Sequence, residues 1–296
     1  MGNFVRKILN FGCSSMDYNN DYISIAGDKI GLIDKSNGNL IFEVSGIKNI
    51  ISVCMDKKNI YAKKTNGTYY VIDILTHSII EKINPIGKYD GVQDFSIYIL
   101  RNGVIFDLLN LDNGKFCAIK YDFNKKKQVT LTIPINLNYN CVNYVVENEK
   151  IYLLFKERSC ENDDVLKCSY IVIDTVKMEI IDRLCFSFKR SSFPLGLISK
   201  EWILLKNMQI VNIHTLSRLE ILNEVENGVT EYGYFYKIIP IDSNSFILVF
   251  SKAVFVYDLQ KNTLIKNFFG EYFSSALRVD NKLYIGTWEG TFESEL

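Results

Sequence analysis

The sequence predicts an all-β fold, a seven-bladed β-propeller of four-stranded antiparallel blades, in a single domain spanning residues 1–296. Three observations predict it. Short apolar strands recur in pairs along the chain, and the repeat that the C-terminus begins is completed by the N-terminus. The 18 Tyr and 19 Phe residues also favour strands over helices. With 296 residues, the chain is long enough for one large domain.

The repeat consists of an apolar strand that ends in an acidic or amide residue, a short polar turn, and a second apolar strand. We call the residue that ends the first of these strands the anchor. The anchors of the six complete copies are Asp34, Asp73, Asp122, Asp174, Asn212 and Asp258. Successive anchors lie roughly 40–50 residues apart, which is the length of a four-stranded propeller blade. Two further apolar runs precede each anchored pair, as in Ser275–Val279 and Lys282–Thr287.

The anchors and several glycines are expected to shape the turns. An Asp or Asn side chain at the start of a turn accepts hydrogen bonds from backbone amides two or three residues further along. Asn66–Gly67, Asn113–Gly114 and Glu289–Gly290 stand where the second strand should turn into the third. Glycine there tolerates the positive φ of a primed hairpin turn. Asp280–Asn281 is expected to form a tight turn within the last blade.

The seventh copy is split between the two ends of the chain. Gly290–Leu296 aligns with the internal segment Gly67–Asp73, and Gly2–Ile8 aligns with Gly38–Val44. The N-terminal segment should therefore form the outermost strand of the last blade, next to the C-terminal strand. Closing the array in this way hides the open sheet edges that would otherwise promote aggregation.

The pattern of strand, Asp, turn and strand resembles the broad superfamily of WD40-like, YVTN-like and quinoprotein-dehydrogenase-like β-propellers, and the resemblance covers the whole chain. The sequence lacks the Gly-His and Trp-Asp pairs of WD40 repeats, and Trp202 and Trp288 do not recur in phase. The resemblance implies the fold alone, because propellers support unrelated activities. No functional residue is carried over from these families.

Charge and hydropathy exclude several kinds of partner. The 34 Lys and Arg residues balance 34 Asp and Glu residues, whereas nucleic-acid binders usually carry a basic excess. The basic run Lys125–Lys127 is expected at a solvated hairpin tip. No apolar run is long enough for a transmembrane helix, and the one near the N-terminus is too short for a signal peptide. We expect no nucleic-acid partner and no membrane partner.

Side chains that support catalysis are scarce. The two histidines, His77 and His214, fall in predicted outer turns of different blades, which argues against a histidine metal site or a Ser-His-Asp triad. The 7 cysteines include no C-x-x-C pair, and a reduced set indicates the cytoplasm. Four cysteines within apolar strands should pack as small hydrophobic residues: Cys54, Cys117, Cys141 and Cys185. We expect no catalytic, cofactor or metal site and no enzymatic activity.

The axial end of the blades offers an alternative site, because the first strands supply charged side chains near it. These are Asp17, Asp56, Asp90, Asp94, Glu147, Asp242 and Arg278. Converging carboxylates would suit a lectin or an enzyme with a glycan or another small polar ligand in an axial funnel. No acidic motif recurs beside a base, so the alternative interpretation is that these are surface charges. A membrane-associated assembly factor would require a cleaved N-terminus and the loss of the closing strand.

One segment departs from the repeat, namely residues 157–168 between the second and third strands of the fourth unit. Long excursions from a regular scaffold often carry binding function, although a tolerated surface insertion is the simpler explanation. The candidate partner-binding residues are Glu157, Arg158, Glu161, Asp163, Asp164 and Lys167. A second polar segment, Lys189–Ser192, is predicted on the same side. We expect a monomeric, non-enzymatic scaffold that binds another protein through one axial face.

Overall fold

The computed structural model describes residues 6–85, 87, 93, 95–111, 115–135, 138–158, 164–220, 231–242 and 244–296. They form two compact units, called here the N-terminal unit (residues 3–137 with 272–296) and the central unit (residues 138–271). Strands dominate, and a 3-10 turn at Arg190–Ser192 is the one helical element of the described residues. No helix in that part of the chain is long and apolar enough to cross a membrane.

The N-terminal unit contains four antiparallel, four-stranded sheets, which we call blades. Blade 1 consists of β2 (Cys13–Tyr18), β3 (Tyr22–Gly27), β4 (Ile30–Asp34) and β5 (Leu40–Val44). Blade 2 consists of β6 (Ile50–Met55), β7 (Asn59–Lys64), β8 (Tyr69–Asp73) and β9 (Ser78–Ile83). Blade 3 consists of β10 (Tyr98–Arg101), β11 (Val104–Asn110), β12 (Phe116–Asp122) and β13 (Lys127–Ile133). The closing blade consists of β26 (Phe273–Val279), β27 (Lys282–Thr287), β28 (Thr291–Glu295) and β1 (Arg6–Leu9).

The central unit contains three more blades of the same kind. Blade 4 consists of β14 (Tyr139–Glu147), β15 (Lys150–Glu157), β16 (Val165–Asp174) and β17 (Glu179–Lys189). Blade 5 consists of β18 (Pro194–Leu197), β19 (Trp202–Leu205), β20 (Gln209–Asn212) and β21 (Arg218–Glu220). Blade 6 consists of β22 (Phe235–Pro240), β23 (Ser245–Phe250), β24 (Ala253–Asp258) and β25 (Thr263–Phe269). With seven blades in the described residues, the fold is a seven-bladed β-propeller, as the sequence predicts. The single-domain boundary remains a prediction.

The closing blade confirms the split repeat. β1 pairs antiparallel with β28, and Leu9 lies opposite Thr291. β1 ends at Leu9, one residue beyond its predicted end at Ile8, and a bulge lies just before Leu9. The side chain of Leu9 is buried. Residues 2–5 of the aligned segment lie outside the described residues. The outermost strand of this blade thus comes from the opposite end of the chain, and it covers the edge that β28 would expose.

The glycines predicted in hairpin turns have different tasks. Gly67 has a φ of +80° and its amide donates to the carbonyl oxygen of Lys64 at 2.9 Å, so the turn is a three-residue loop with glycine in the left-handed position, and the predicted primed turn is wrong. The positive φ predicted for Gly290 is wrong. A Cβ atom on Gly290 would lie 2.5 Å from the carbonyl oxygen of Leu9, so glycine is required there by the close approach of β1. Asp280 has a φ of +54°, in line with its predicted tight turn, and residues 113–114 lie outside the described residues.

The core consists of apolar layers between neighbouring blades. In the N-terminal unit, Leu32 of blade 1 and Ile60 of blade 2 belong to one buried cluster. In the central unit, Leu204 of blade 5 packs in a cluster with Leu248 of blade 6. Since a middle strand is covered on both faces, it does not alternate between apolar and polar residues: all six residues of β23 are buried, and five of them are apolar. This explains the continuous apolar runs of the sequence.

The anchors fix the outer turns as predicted. The Oδ1 atom of Asp174 accepts hydrogen bonds from the amides of Val176 (2.8 Å) and Lys177 (2.9 Å). The Oδ1 atom of Asn212 accepts two equivalent bonds at 3.0 Å. Amide hydrogen bonds of this kind lower the pKa of the carboxyl groups of Asp73, Asp174 and Asp258. An anchor therefore needs an oxygen acceptor and not a negative charge, which explains why Asn212 can replace an aspartate.

A second regularity of these turns is not visible in the sequence. The residue four positions after each anchor has a positive φ, namely Gly38, His77, Lys126, Met178, Leu216 and Asn262. In one such turn the amide of Leu216 donates to the carbonyl oxygen of Asn212 at 2.9 Å. Glycine alone adopts this conformation without steric cost, so the backbone is strained at this position in five of the six turns. The hydrogen bonds of the anchor stabilise each of these turns.

First strands of neighbouring blades are joined by side-chain hydrogen bonds. In the N-terminal unit, Ser15 Oγ accepts a bond from the amide of Val53 (3.1 Å), and Ser52 Oγ does the same for the next blade. In the central unit, the side-chain amide of Asn143 exchanges two bonds with the backbone of Leu197, at 2.7 and 3.0 Å. These contacts set the spacing between blades with polar groups, in addition to the apolar layers.

The cysteines follow the sequence prediction in part. The six described cysteines form no disulfide bond with one another. Cys54 and Cys117 are buried in apolar layers, as expected. Cys141 is half-buried, and Cys185 is exposed on β17, so the packing predicted for Cys185 is wrong. The reason is that β17 is the outermost strand of blade 4, where one face meets solvent.

Candidate functional site

Each blade has two ends with different loops. We call the end at which the first strand begins and the second strand turns into the third the proximal end. The distal end carries the anchor turns between the third and fourth strands. Because adjacent strands are antiparallel, the second-to-third turn and the connection into the first strand lie at the same end of a blade. The segments 157–168 and 189–192 therefore both belong to the proximal end of blade 4.

A recurring backbone hydrogen bond builds the proximal end. The carbonyl oxygen of the residue before the first strand accepts a bond from the amide of the residue after the second strand. We call these two residues the proximal pair. In the described residues the pairs are Asn49 with Thr65, Asn138 with Arg158, Phe193 with Lys206, Tyr234 with Ser251, and Tyr272 with Trp288. The bond fixes the backbone at the proximal end of these five blades.

In the N-terminal unit, one proximal pair is aromatic. The rings of Tyr272 and Trp288 stack with their centroids 5.5 Å apart and their planes 24° from parallel. The amide of Trp288 donates to the carbonyl oxygen of Tyr272 at 3.1 Å. Trp288 is nevertheless 60% exposed and Tyr272 is 47% exposed. The pair is thus a rigid aromatic surface that faces solvent.

In the central unit, the proximal ends combine aromatic and basic side chains. Tyr234 is 82% exposed, although its amide donates to Ser251 Oγ at 2.9 Å. The Nζ atoms of Lys156 and Lys206 lie 4.5 and 5.3 Å from the centre of the Phe193 ring. Burial lowers the pKa of Lys156. Cation–π contacts of this kind hold two positive charges on one ring.

Beside Phe193 lies a cavity of about 520 Å³ between the proximal ends of blades 4 and 5. Its apolar floor is formed by Phe188 and Leu205, which are both buried. Its rim carries hydroxyl, amide and basic groups: Ser187, Lys189, Ser191, Asn207, Gln209 and Arg218. Among the described residues that line it, none is acidic. Such a cavity suits a polar, negatively charged group with a short apolar stem.

The structure divides the candidate residues of segment 157–168 between strands and loop. Glu157 ends β15 and Lys167 lies within β16, so the predicted bounds of the loop are wrong. β16 begins early because it keeps pairing with β17, with Val165 opposite Lys189. These two strands are the longest of the described residues. The functional assignment of the segment remains a prediction.

The other candidates of that segment have backbone roles or are not described. Arg158 belongs to a proximal pair, and its Nε donates to Asn140 Oδ1 at 2.9 Å. The carbonyl oxygen of Asp164 accepts a bond from the amide of Arg190 at 2.9 Å. This contact joins the two polar segments that the sequence placed on the same side. Glu161 and Asp163 lie outside the described residues.

In the N-terminal unit, the charged residues proposed for an axial funnel are bound to nearby backbone. Asp56 accepts bonds from the amides of its own turn, and Asp17 Oδ2 accepts one from the amide of Met55 at 2.8 Å. Burial raises the pKa of Asp17 to about 6. Arg278 Nε donates to the carbonyl oxygen of Asp280 at 3.2 Å. Residues 90 and 94 lie outside the described residues.

In the central unit, the two proposed carboxylates also have local partners. Glu147 Oε1 lies 3.1 Å from Lys200 Nζ in a partly exposed ion pair. Asp242 accepts bonds from the amide of Asn244 and the hydroxyl of Ser245, at 2.7 and 2.8 Å. Turn formation and surface charge pairing account for both residues within this unit.

The two histidines lie in distal turns. His77 stacks on Phe42 with centroids 4.4 Å apart, and His214 meets the edge of Tyr170 at 6.4 Å. Both side chains are exposed. In the described part of the chain, no group of three or more His, Cys, Asp or Glu residues is arranged to hold a metal ion.

One buried polar network of the N-terminal unit was not anticipated from the sequence. Lys63 Nζ lies 2.7 Å from Asp107 Oδ1, and Tyr69 donates its hydroxyl to Asp107 Oδ2 at 2.7 Å. Lys63 also donates to the carbonyl oxygen of Phe95 at 2.8 Å. Burial raises the pKa of Asp107, and the Lys63 charge opposes this shift. Because no part of Lys63 or Asp107 reaches solvent, the network joins blades 2 and 3 and does not form a surface site.

Comparisons with known proteins support the fold and no more. No protein-family model matches the chain, and no curated protein matches it. Among solved structures, the chain is similar to BamB from Moraxella catarrhalis, with a TM-score of 0.55 and 11% identity, over 95% of this chain and 82% of that one. It is also similar to the computationally designed Ika8 protein, with a TM-score of 0.61 and 10% identity, over 98% of this chain and 100% of that one. At such low identity, these likenesses place the chain among β-propellers and assign no activity.

Proposed function

We propose that this protein is a non-enzymatic scaffold that binds a partner protein through the proximal ends of its blades. The observation that carries the proposal is that two of the proximal pairs hold large aromatic side chains, Tyr234, Tyr272 and Trp288, in solvent on a fixed backbone. Tyrosine and tryptophan are enriched at protein interfaces and among the residues that dominate binding energy. A rigid aromatic side chain loses little conformational entropy on binding, which favours affinity.

The exposure of these aromatic residues supports the proposal. Tyr234 is 82% exposed and Trp288 is 60% exposed, so burial on folding does not explain why large aromatic groups occupy these positions. Each lies in a pair whose backbone hydrogen bond would form equally well with any other residue. Their side chains are therefore available to a partner, while the turns themselves do not depend on them.

Affinity capture from the native host tests this function with matched surface variants. The test variant carries Tyr234→Ser and Trp288→Ser at proximal ends. The control carries Leu75→Ser and Val176→Ser in distal turns, where these side chains are 82% and 61% exposed. We expect a partner captured by the wild type to be lost from the proximal variant and retained by the distal one. A partner captured equally well by both variants would contradict binding through the proximal ends.

The loop between β15 and β16 has its own test. Replacing residues 159–163 with a short glycine-containing turn leaves the paired parts of both strands intact. If this loop contributes to recognition, the replacement weakens capture without lowering thermal stability. The same purified protein, passed over a sizing column with light scattering, tests the proposed monomer. Fractionation of host cells tests the proposed cytoplasmic location.

A lectin or enzyme with an axial site is the second candidate function. The observation that favours it is Asp17, a partly buried carboxyl group in a first strand with a pKa raised to about 6. Carboxyl groups with raised pKa values are more frequent at functional sites, although structural networks also produce them. Asp17→Asn should abolish glycan binding or hydrolysis under this alternative. Unchanged glycan binding by that variant would remove Asp17 from the candidate site.

A further inference from the structure

The cavity between the proximal ends of blades 4 and 5 has the composition of an anion-binding site. Lys189 and Arg218 lie on its rim with exposed side chains, and neither forms an ion pair within the described part of the chain. Hydroxyl and amide donors surround them, as in Ser187 and Gln209. The chain as a whole is electrically neutral, so this local excess of positive charge is a feature of the cavity.

Neighbouring residues extend the positive charge. Lys206 belongs to the adjacent proximal pair and holds its ammonium group 5.3 Å from the Phe193 ring. Lys167 of β16 pairs through its backbone with Ser187, which lines the cavity. Two further lysines, Lys167 and Lys206, thus lie next to residues at or beside the cavity. A basic surface attracts acidic ligands and accelerates their association.

From these groups we infer that the cavity binds an oxyanion-bearing side chain of an acidic polypeptide segment. Arg218 offers a planar fork of N–H donors that matches the two oxygens of a carboxylate or of a phosphate. Lys189 adds a second positive charge, and the serine hydroxyls donate to the remaining oxygens. The apolar floor of Phe188 and Leu205 contacts the methylene groups of the same side chain.

The position of the cavity favours a segment of a polypeptide over a free small acid. Ser187, Lys189 and Arg218 are exposed, so the cavity opens onto the proximal surface and is not enclosed. Its volume of about 520 Å³ holds one or two side chains, and the rest of the ligand would lie across Phe193 and Lys206. Recognition of acidic motifs by basic clusters is an established mode of peptide binding. This inference rests on the proposed function, because it names the chemistry of the partner.

Peptide binding tests the inference independently of the natural partner. The probes are three fluorescein-labelled decapeptides in which glycine alternates with glutamate, with glutamine or with phosphoserine. Fluorescence anisotropy with the full-length protein measures their dissociation constants at low and at physiological salt. We expect the glutamate or the phosphoserine peptide to bind and the glutamine peptide to bind at least about tenfold more weakly. The tighter of the two acidic peptides identifies the oxyanion as carboxylate or phosphate.

Matched charge variants locate the binding. Lys189→Gln with Arg218→Gln should weaken binding of the acidic peptide by about tenfold or more. The control, Lys177→Gln with Lys261→Gln, removes two exposed charges from distal turns of the same unit and should change binding by about twofold or less. Thermal melting of both variants confirms that they are folded. No binding of either acidic peptide to the wild type, or equal losses in the two variants, would overturn the inference. If the peptide test fails but the Tyr234 and Trp288 variant still loses its captured partner, the proposed function is retained and only the anion-binding inference is rejected.

Discussion

The ammonium group of Lys63 on β7 lies 2.7 Å from the carboxylate of Asp107 on β11, and both side chains are completely buried. An ion pair without solvent gains no net stability from the attraction alone, because both charges lost their hydration. Here Tyr69 and the backbone of Phe95 and Leu108 supply further hydrogen bonds to the two charged groups. The pair therefore ties blade 2 to blade 3 and makes each partner depend on the other.

Lys63→Met should destabilise the protein by about 3–5 kcal/mol, because it leaves the Asp107 carboxyl buried without its counter-charge. Urea denaturation followed by tryptophan fluorescence measures the change. As a control, Lys29→Met removes a lysine whose ion pair with Glu43 is partly exposed, and it should cost about 1 kcal/mol or less. The double variant Lys63→Met with Asp107→Leu should recover part of the loss. A Lys63→Met protein as stable as the wild type would contradict this account.

Deleting residues 1–10 should greatly lower thermal stability or cause aggregation, because the deletion removes β1 and exposes the edge of β28. It also removes Leu9, which belongs to the buried cluster between the closing blade and blade 1. Differential scanning fluorimetry and light scattering measure the two effects. Deletion of residues 1–5 alone retains β1 and serves as the control. Closure by β1 is not needed if the longer deletion leaves a monomer with unchanged melting.

Leu216→Gly should stabilise the protein by about 0.5–1 kcal/mol, although it removes an apolar side chain. Leu216 has a φ of +58°, which is strained for a residue with a Cβ atom, and its side chain is mostly exposed. Gly38 occupies the same position in blade 1. Leu216→Ala keeps the Cβ atom and should bring no such gain. Equal stability of the glycine and alanine variants in urea denaturation would refute the strain at this position.

The contribution of Asp17 to the free energy of unfolding should decrease as the pH rises through about 6. A carboxyl group whose pKa is higher in the folded than in the unfolded chain binds its proton more tightly when folded. Its contribution is complete below the unfolded pKa and is lost as the pH rises through the folded pKa. Asp17→Asn should therefore raise stability at about pH 8, by about 1–3 kcal/mol, and make the range from about pH 5 to 8 flatter.

Melting temperatures at about pH 5 and 8 check this expectation. Asp174→Asn is the control, because hydrogen bonds lower the pKa of that carboxyl group and its stabilising contribution is lost only under more acidic conditions. The control should leave the difference between the two pH values unchanged. If Asp17→Asn also leaves it unchanged, Asp17 does not titrate in this range.

The candidate site could be predicted from the sequence only in its general location. The departure from the repeat at residues 157–168 pointed to the proximal end of blade 4, where the cavity lies. Lys189 lies in the polar segment 189–192, which departs from the repeat, whereas Arg218 lies in an ordinary strand of the next blade. The sequence pattern of one blade does not indicate which residues of the neighbouring blade contact that blade. Tyr234 and Trp288 were likewise hidden, because exposure of an aromatic residue cannot be recognised in a chain rich in buried ones.

The seven blades, the turns that the anchors shape, and the closure by the N-terminal strand could all be predicted from the amino-acid pattern. Each depends on local hydrogen bonds or on apolar patterns that repeat along the chain, and such periodicity can be read from one copy to the next. Only the tertiary structure brings Lys63 into burial against Asp107, and only there do Lys189 and Arg218 line one cavity. These depend on how separate blades pack face to face, where side chains distant in sequence become neighbours and their charges and hydrogen bonds must be satisfied together.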